Sequence, residues 1–353
     1  MTTTQMVDWD LAVATAGALA KTGPRVTFAE ASDVVEQLRT LTGEAERHVR
    51  EYTGLHSLVA HPPVRVVDRK DWVAANVEGL QKVVDPLIGQ LTAGQTPGNV
   101  ARVVGSKATG VQAGSVFAYL SGKVLGQYEV FAGDPGQLLL VAPNIVEAER
   151  RLEADPRDFR LWICLHEVTH RTQFTAVPWL RQHFIDEVRA FVDAADLDKD
   201  ALAARLRRGL DSIADALKNP RAMESVIDLV QTPAQREVLA RLTALMTLVE
   251  GHAEFVMDGV GPDVVPSVAS IREKFNERRV ARNPLERILR KLLGVEVKMK
   301  QYAEGNRFVA AVVGQVGMAK FNKIWESAET LPKPAELKDP SAWVARVHGP
   351  AAA

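Results

Sequence analysis

Leu161-Trp162-Ile163-Cys164-Leu165-His166-Glu167-Val168-Thr169-His170 decides the reading of this chain. Five mostly apolar residues run straight into two histidines spaced four apart. In an α-helix, residues i and i+4 share a face about one turn apart, so both imidazoles can grip one ion whose position the helix fixes in advance. Glu167 follows the first histidine, which puts its carboxylate beside such an ion, placed to take a proton from water activated there. A solvated helix that happened to carry these residues would have no reason to follow so apolar a run. Burying two imidazoles and a carboxylate without partners is costly, and a zinc ion with one open coordination position removes that cost. The expectation is a Zn2+ cofactor held by His166 and His170, with Glu167 as the catalytic base.

Working outward, a catalytic zinc needs a third protein ligand. One known continuation places a glycine three and a histidine six residues after the second histidine. This chain has Gln173 and Ala176 there. His183 lies beyond Pro178-Trp179, a helix break, and is better read as packed or exposed. Residues 245–258 are apolar but carry Glu250, Glu254 and Asp258 at i, i+4 and i+8 on one helix face. Carboxylates in so apolar a helix call for a counter-charge. Glu250 as ligand, with Glu254 behind it, resembles the gluzincin arrangement, in which a later helix supplies a glutamate and a carboxylate one turn on orients a zinc-binding histidine. Glu254 as ligand with Asp258 behind it is the shifted alternative. Gly251 favours Glu250, because a residue without a side chain lets another backbone or a substrate come close.

The rest of the chain is mostly of helical period. Apolar stripes and breakers predict helices over 10–20, 27–41, 71–91 and 111–124, then 157–174, 180–194, 199–217, 222–230, 233–258, 268–293 and 297–327. Between them, residues 126–142 read as a β-hairpin turning at Gly133-Asp134-Pro135-Gly136, with the apolar run 138–142 as a strand near the site. That run is either plain core or an edge on which an extended peptide is laid. The tail, with Pro332, Pro334 and Pro340, reads as an extended strap whose Trp343 docks on the body. The fold class is mainly α, a single domain over 1–353: an N-terminal helical region over residues 1–125, the hairpin, the two zinc-site helices, and C-terminal helices with the strap over 266–353.

With 353 residues the chain can bury a large core, and 46% hydrophobic with 25% charged residues is the balance of a globular protein. A formal net charge of −1 gives no electrostatic reason to expect nucleic acid or a membrane surface as partner. The arginines at 205–208 and 278–290 read as solvated faces, the second balanced by acids. No apolar stretch spans a membrane. One cysteine, Cys164, permits no internal disulfide and reads as a small buried hydrophobe; with a start lacking a secretory pattern, a reducing cytoplasm is expected.

Continued as His166-Glu167-Val168-Thr169-His170-Arg171-Thr172-Gln173-Phe174, with Val177-Pro178-Trp179-Leu180 behind it, the motif resembles the actinobacterial-type zincin-like hydrolases. Members are often described as zinc-dependent metalloproteases or as associated with deazaflavin-coenzyme biosynthesis. Val67-Asp68-Arg69, Trp72, Ala75-Asn76, Leu125-Gly126-Gln127-Tyr128, Val249-Glu250-Gly251, Gln301-Tyr302, Asn322 and Trp325 are similar too, so the resemblance runs from about residue 10 to about 347. It implies a largely helical fold with an HExxH zinc site and no particular substrate. The expected chemistry is attack of activated water on the carbonyl of a peptide or small amide, with Glu167 passing the proton to the leaving amine and Tyr302 or His252 facing the oxyanion. A small-molecule amidase and a catalytically silent binding module are the rival readings.

Overall fold

The computed structural model describes residues 7–60, 62–92, 99–131, 133–194, 232–278 and 295–349. Among them are twelve α-helices and one three-stranded sheet, so the mainly-α expectation is met. The expected helices over 199–217 and 222–230, the arginines at 205–208, and most of 279–293 lie outside the described residues. None of the described helices is long and apolar enough to cross a membrane.

Helix α1 (Trp9–Leu19) starts from the Asp8 side chain, which accepts from Leu11 N. Helix α2 (Phe28–Thr53) opens on a capping box, in which Thr27 and Glu30 each accept from the other's backbone N–H. Its buried stripe Val34, Leu38, Leu41, Ala45 and Val49 carries the helix well past residue 41, where the apolar period first fades. Strand β1 (Val64–Val67) then leads into α3 (Arg69–Thr92), and α4 (Asn99–Ser121) follows; α4 is longer than expected at its start.

The hairpin is present, and its place in the sheet decides between the two readings of its apolar strand. Strand β2 (Gly126–Glu129) pairs antiparallel with β3 (Gln137–Val141), and β1 pairs parallel with β3 on its other side. The apolar strand is therefore central rather than an edge. Leu138 and Leu140 enter one core cluster, and Leu139 and Val141 a second one beneath α1 and α3. Alternate residues of a strand point to opposite faces, so a strand with a core on each face reads as a continuous apolar run. β2 is the edge.

Pro143 ends the strand but opens a helix, α5 (Ala142–Leu152), which the sequence reading passed over. Helix α6 (Pro156–Ala176) begins at Asp155, whose side chain accepts from Asp158 N, with Pro156 in the first turn. All its residues from Asp158 to Thr175 except His166 are buried. The helix packs against α2, α5, β2, α7 (Leu180–Asp193), α8 (Pro233–Gly259) and α9 (Val268–Arg278). Its charged residues are paired across these contacts: Arg160 with Glu149 of α5 at 2.6 Å, and Arg171 with Glu46 of α2 at 2.9 Å. Helix α8 starts from a second capping box, Thr232 with Gln235. Helix α10 (Val295–Val316) lies along α8, and the short α11 (Met318–Phe321) follows. The tail is no extended strap: it ends in α12 (Pro340–His348), whose Trp343 is fully buried and donates to Thr330 O at 2.8 Å.

Candidate metal centre

α6 and α8 bring three side chains of the sequence reading to one point. His166 Nε2 and His170 Nε2 lie 3.2 Å apart, as i, i+4 neighbours on α6. Glu250 Oε2, from the middle of α8, is 3.7 Å from the first and 3.4 Å from the second. Glu250 and His170 are buried and His166 is half-buried. The group forms the floor of a cavity of about 570 Å³ walled by Trp72, Tyr128, Trp162, Phe174, Phe184 and Phe275. Glu167 lines the same cavity beside the histidines, and its side chain lies against Gly126 at the start of edge strand β2.

Other residues are placed elsewhere. Glu254 lines the cavity, but its Oε1 accepts from Arg272 of α9 at 2.5 Å, and Asp258 is bound by the same guanidinium. His252 is fully buried on another side of α8, stacked on Phe321 and edge-on to Trp325, and is not among the residues that line the cavity. His183 packs edge-on against Trp179. Tyr302 belongs to α10, but its side chain lies outside the described residues.

The donor set suits a metal. Ligand atoms bound tetrahedrally to zinc at about 2.0–2.1 Å stand about 3.4 Å from one another, close to the three separations found. Glu250 Oε2 is buried without a hydrogen-bond partner, although two imidazole nitrogens face it. Such an atom is expensive unless something positively charged sits among the three.

The model of the zincin-like metallopeptidases matches residues 7–344. The chain belongs to that family. A crystal structure from Chloroflexus aurantiacus, described as that of a proposed hydrolase with a novel fold, superposes with a TM-score of 0.70 at 29% identity, covering 97% of this chain and 99% of the other. No curated protein matches.

The electrostatics of this zincin-like site follow from burial and proximity. Burial alone would raise the Glu250 carboxyl, but His170 and His166 hold it well below the usual range. Burial alone would lower His170, yet Glu250 outweighs it and raises the imidazole. His252 sees no such carboxylate, and burial pushes it down to about 3. Two participants escaped the sequence reading. Arg272, the counter-charge for Glu254 and Asp258, lies among charged neighbours on α9 with nothing local to single it out. Gln173 marks only an absent glycine in the sequence, yet its buried amide touches both His170 and His252.

Proposed function

We propose that this chain is a zinc-dependent hydrolase that cleaves a peptide or amide bond, with zinc held by His166, His170 and Glu250. The observation that carries the reading is the meeting of these three ligand atoms beside Glu167 on a cavity floor. Zinc, when bound, would polarise a carbonyl and acidify water. Glu167 takes the proton of the attacking water and delivers it to the leaving nitrogen. Packing against Gly126 keeps the carboxylate in one place between the two events. Glu254, tied to Arg272, supports the α8 turn that carries Glu250.

The edge strand supports a peptide substrate. Val141 N donates to Leu125 O, so the hydrogen-bonded pairs of the β2–β3 ladder are those of Gln127 and Glu129. Gly126 and Tyr128 therefore turn their N–H and C=O groups away from β3, towards the side where an extended chain can add. A small amide is the second reading, favoured by a cavity of drug-ligand size with aromatic walls. The reducing cytoplasm remains our proposed setting, since the single cysteine is free and buried.

Metal analysis of the wild type, Glu167→Gln, Glu250→Ala and Glu254→Ala, with a screen of peptides and small amides, tests the proposal. Glu167→Gln should keep zinc and lose turnover by about 10²–10⁴-fold. Glu250→Ala should lose zinc. If Glu254→Ala loses the metal while Glu250→Ala retains it, the ligand assignment is wrong by one helical turn. A wild type that holds zinc and cleaves nothing would favour a binding module.

A further inference from the structure

Gln173 lies three residues past His170 on α6 and is completely buried. Its Oε1 stands 3.1 Å from His170 Nδ1. Its Nε2 donates to Val249 O at 2.9 Å and faces His252 Nδ1 at 2.9 Å. A backbone carbonyl can only accept, so Val249 O dictates which end of the amide is nitrogen; the flipped amide would set two oxygens against each other. Oε1 must then face His170, whose Nδ1 carries the hydrogen. The lone pair of that imidazole is left on Nε2, the atom that points at His166 and Glu250. By the same logic His252 Nδ1 is an acceptor, and its hydrogen sits on Nε2.

We propose that Gln173 is the positioning residue of the metal centre: through one amide it locks His170 in the tautomer that offers Nε2 to the ion, and ties that ligand to the turn of α8 that carries Glu250. The proposal rests on the zinc site described above and adds to it the device that orients the site. Val249 is the neighbour of Glu250, and His252 lies two residues beyond it, so both attachments of Nε2 flank the third ligand. His252 supplies a second, independent observation. Its Nε2 is buried without a hydrogen-bond partner, and its ring is stacked on Phe321 and edge-on to Trp325. A phenyl ring would fill that space without stranding a polar nitrogen. What the imidazole adds there is the Nδ1 acceptor that holds Gln173.

The test uses the full-length chain, zinc affinity by competition with a chromophoric chelator, and the visible spectrum of the Co2+-loaded protein. Gln173→Leu keeps the bulk and removes the amide; it should weaken zinc binding by about 10–100-fold and shift the cobalt bands. His252→Phe keeps the ring and removes the acceptor; it should move both readouts in the same direction by a smaller factor. If Gln173→Leu does not fold, His252→Phe and 15N NMR of the wild-type histidines carry the test, with His252 expected to be protonated on Nε2. A hydrogen on Nδ1 of His252 overturns the proposal. So does a folded Gln173→Leu that binds zinc within about threefold of the wild type with an unchanged cobalt spectrum, a result that leaves the zinc site itself standing. A wild type that takes up neither zinc nor cobalt overturns the zinc site and the proposal together.

Discussion

Glu167 is held by what lies against it as much as by its helix. A Cβ on residue 126 would run into Glu167 Cγ and Cδ, so only glycine lets strand and carboxylate approach this closely. Gly126→Ala should keep its zinc yet lose about 10²-fold in kcat on a cleaved amide, the scale of a base displaced by about 1 Å; unchanged kcat would show that Glu167 has room to move. His252 gives a pH signature. An unfolded imidazole protonates near pH 6.5, while the buried ring resists until about 3. As pH falls below 6.5 the unfolded chain gains a proton that the native chain refuses, and native stability is lost through that window. His252→Phe has no such proton. In the presence of a chelator, urea unfolding should show the variant gaining on the wild type by about 2–3 kcal/mol between pH 6.5 and 4.5. A gap that does not change with pH would contradict a neutral buried ring.

At the scale of elements, the site depends on two helix contacts. α6 is tied by Arg160 and Arg171 to α5 and α2, so the helix that carries the histidines is anchored to two neighbours. α8 meets α10 at Gly251 and Gly305, where a Cβ on either residue would strike the backbone of the other helix. The close approach that Gly251 suggested is thus made by a neighbouring helix, one residue from Glu250. Gly251→Ala should force the helices apart. The expected cost is at least about 1–3 kcal/mol in denaturant unfolding, with weakened zinc binding because Glu250 shifts with its turn. Normal stability and zinc affinity would mean that the contact is looser than it stands here.

Over the whole molecule, the C-terminal segment backs the candidate metal centre. Trp343 packs on Phe308 and Phe321, Phe321 stacks on His252, and Trp325 accepts a bond from Trp179 beyond the end of α6. The last helix is therefore connected, ring by ring, to the amide that orients His170. Trp343→Ala should cost about 3–5 kcal/mol, as the loss of a large buried ring does, and should also lower zinc affinity although Trp343 is remote from the ligands. Thermal unfolding and chelator competition on the same preparation check both; a stability loss without any change in affinity would break the connection.

What the sequence determined alone is what one helix or one strand encodes by itself. His166, Glu167 and His170 were legible because 3.6 residues per turn fixes their geometry within α6, and Glu250 because a carboxylate stands out in an apolar helix. The apolar run of β3 was readable for the same local reason. Tertiary structure decided the rest. β1 is four residues long and pairs with a strand more than seventy residues away, so only the assembled sheet shows that β3 is central and β2 the edge. The gap between Glu250 and Glu254 as partner of the histidines depends on Arg272, a residue on a third helix. Gln173 meets Val249 and His252 across 76 and 79 residues of chain. Such contacts are set by how helices pack against one another, and no spacing along the chain encodes them.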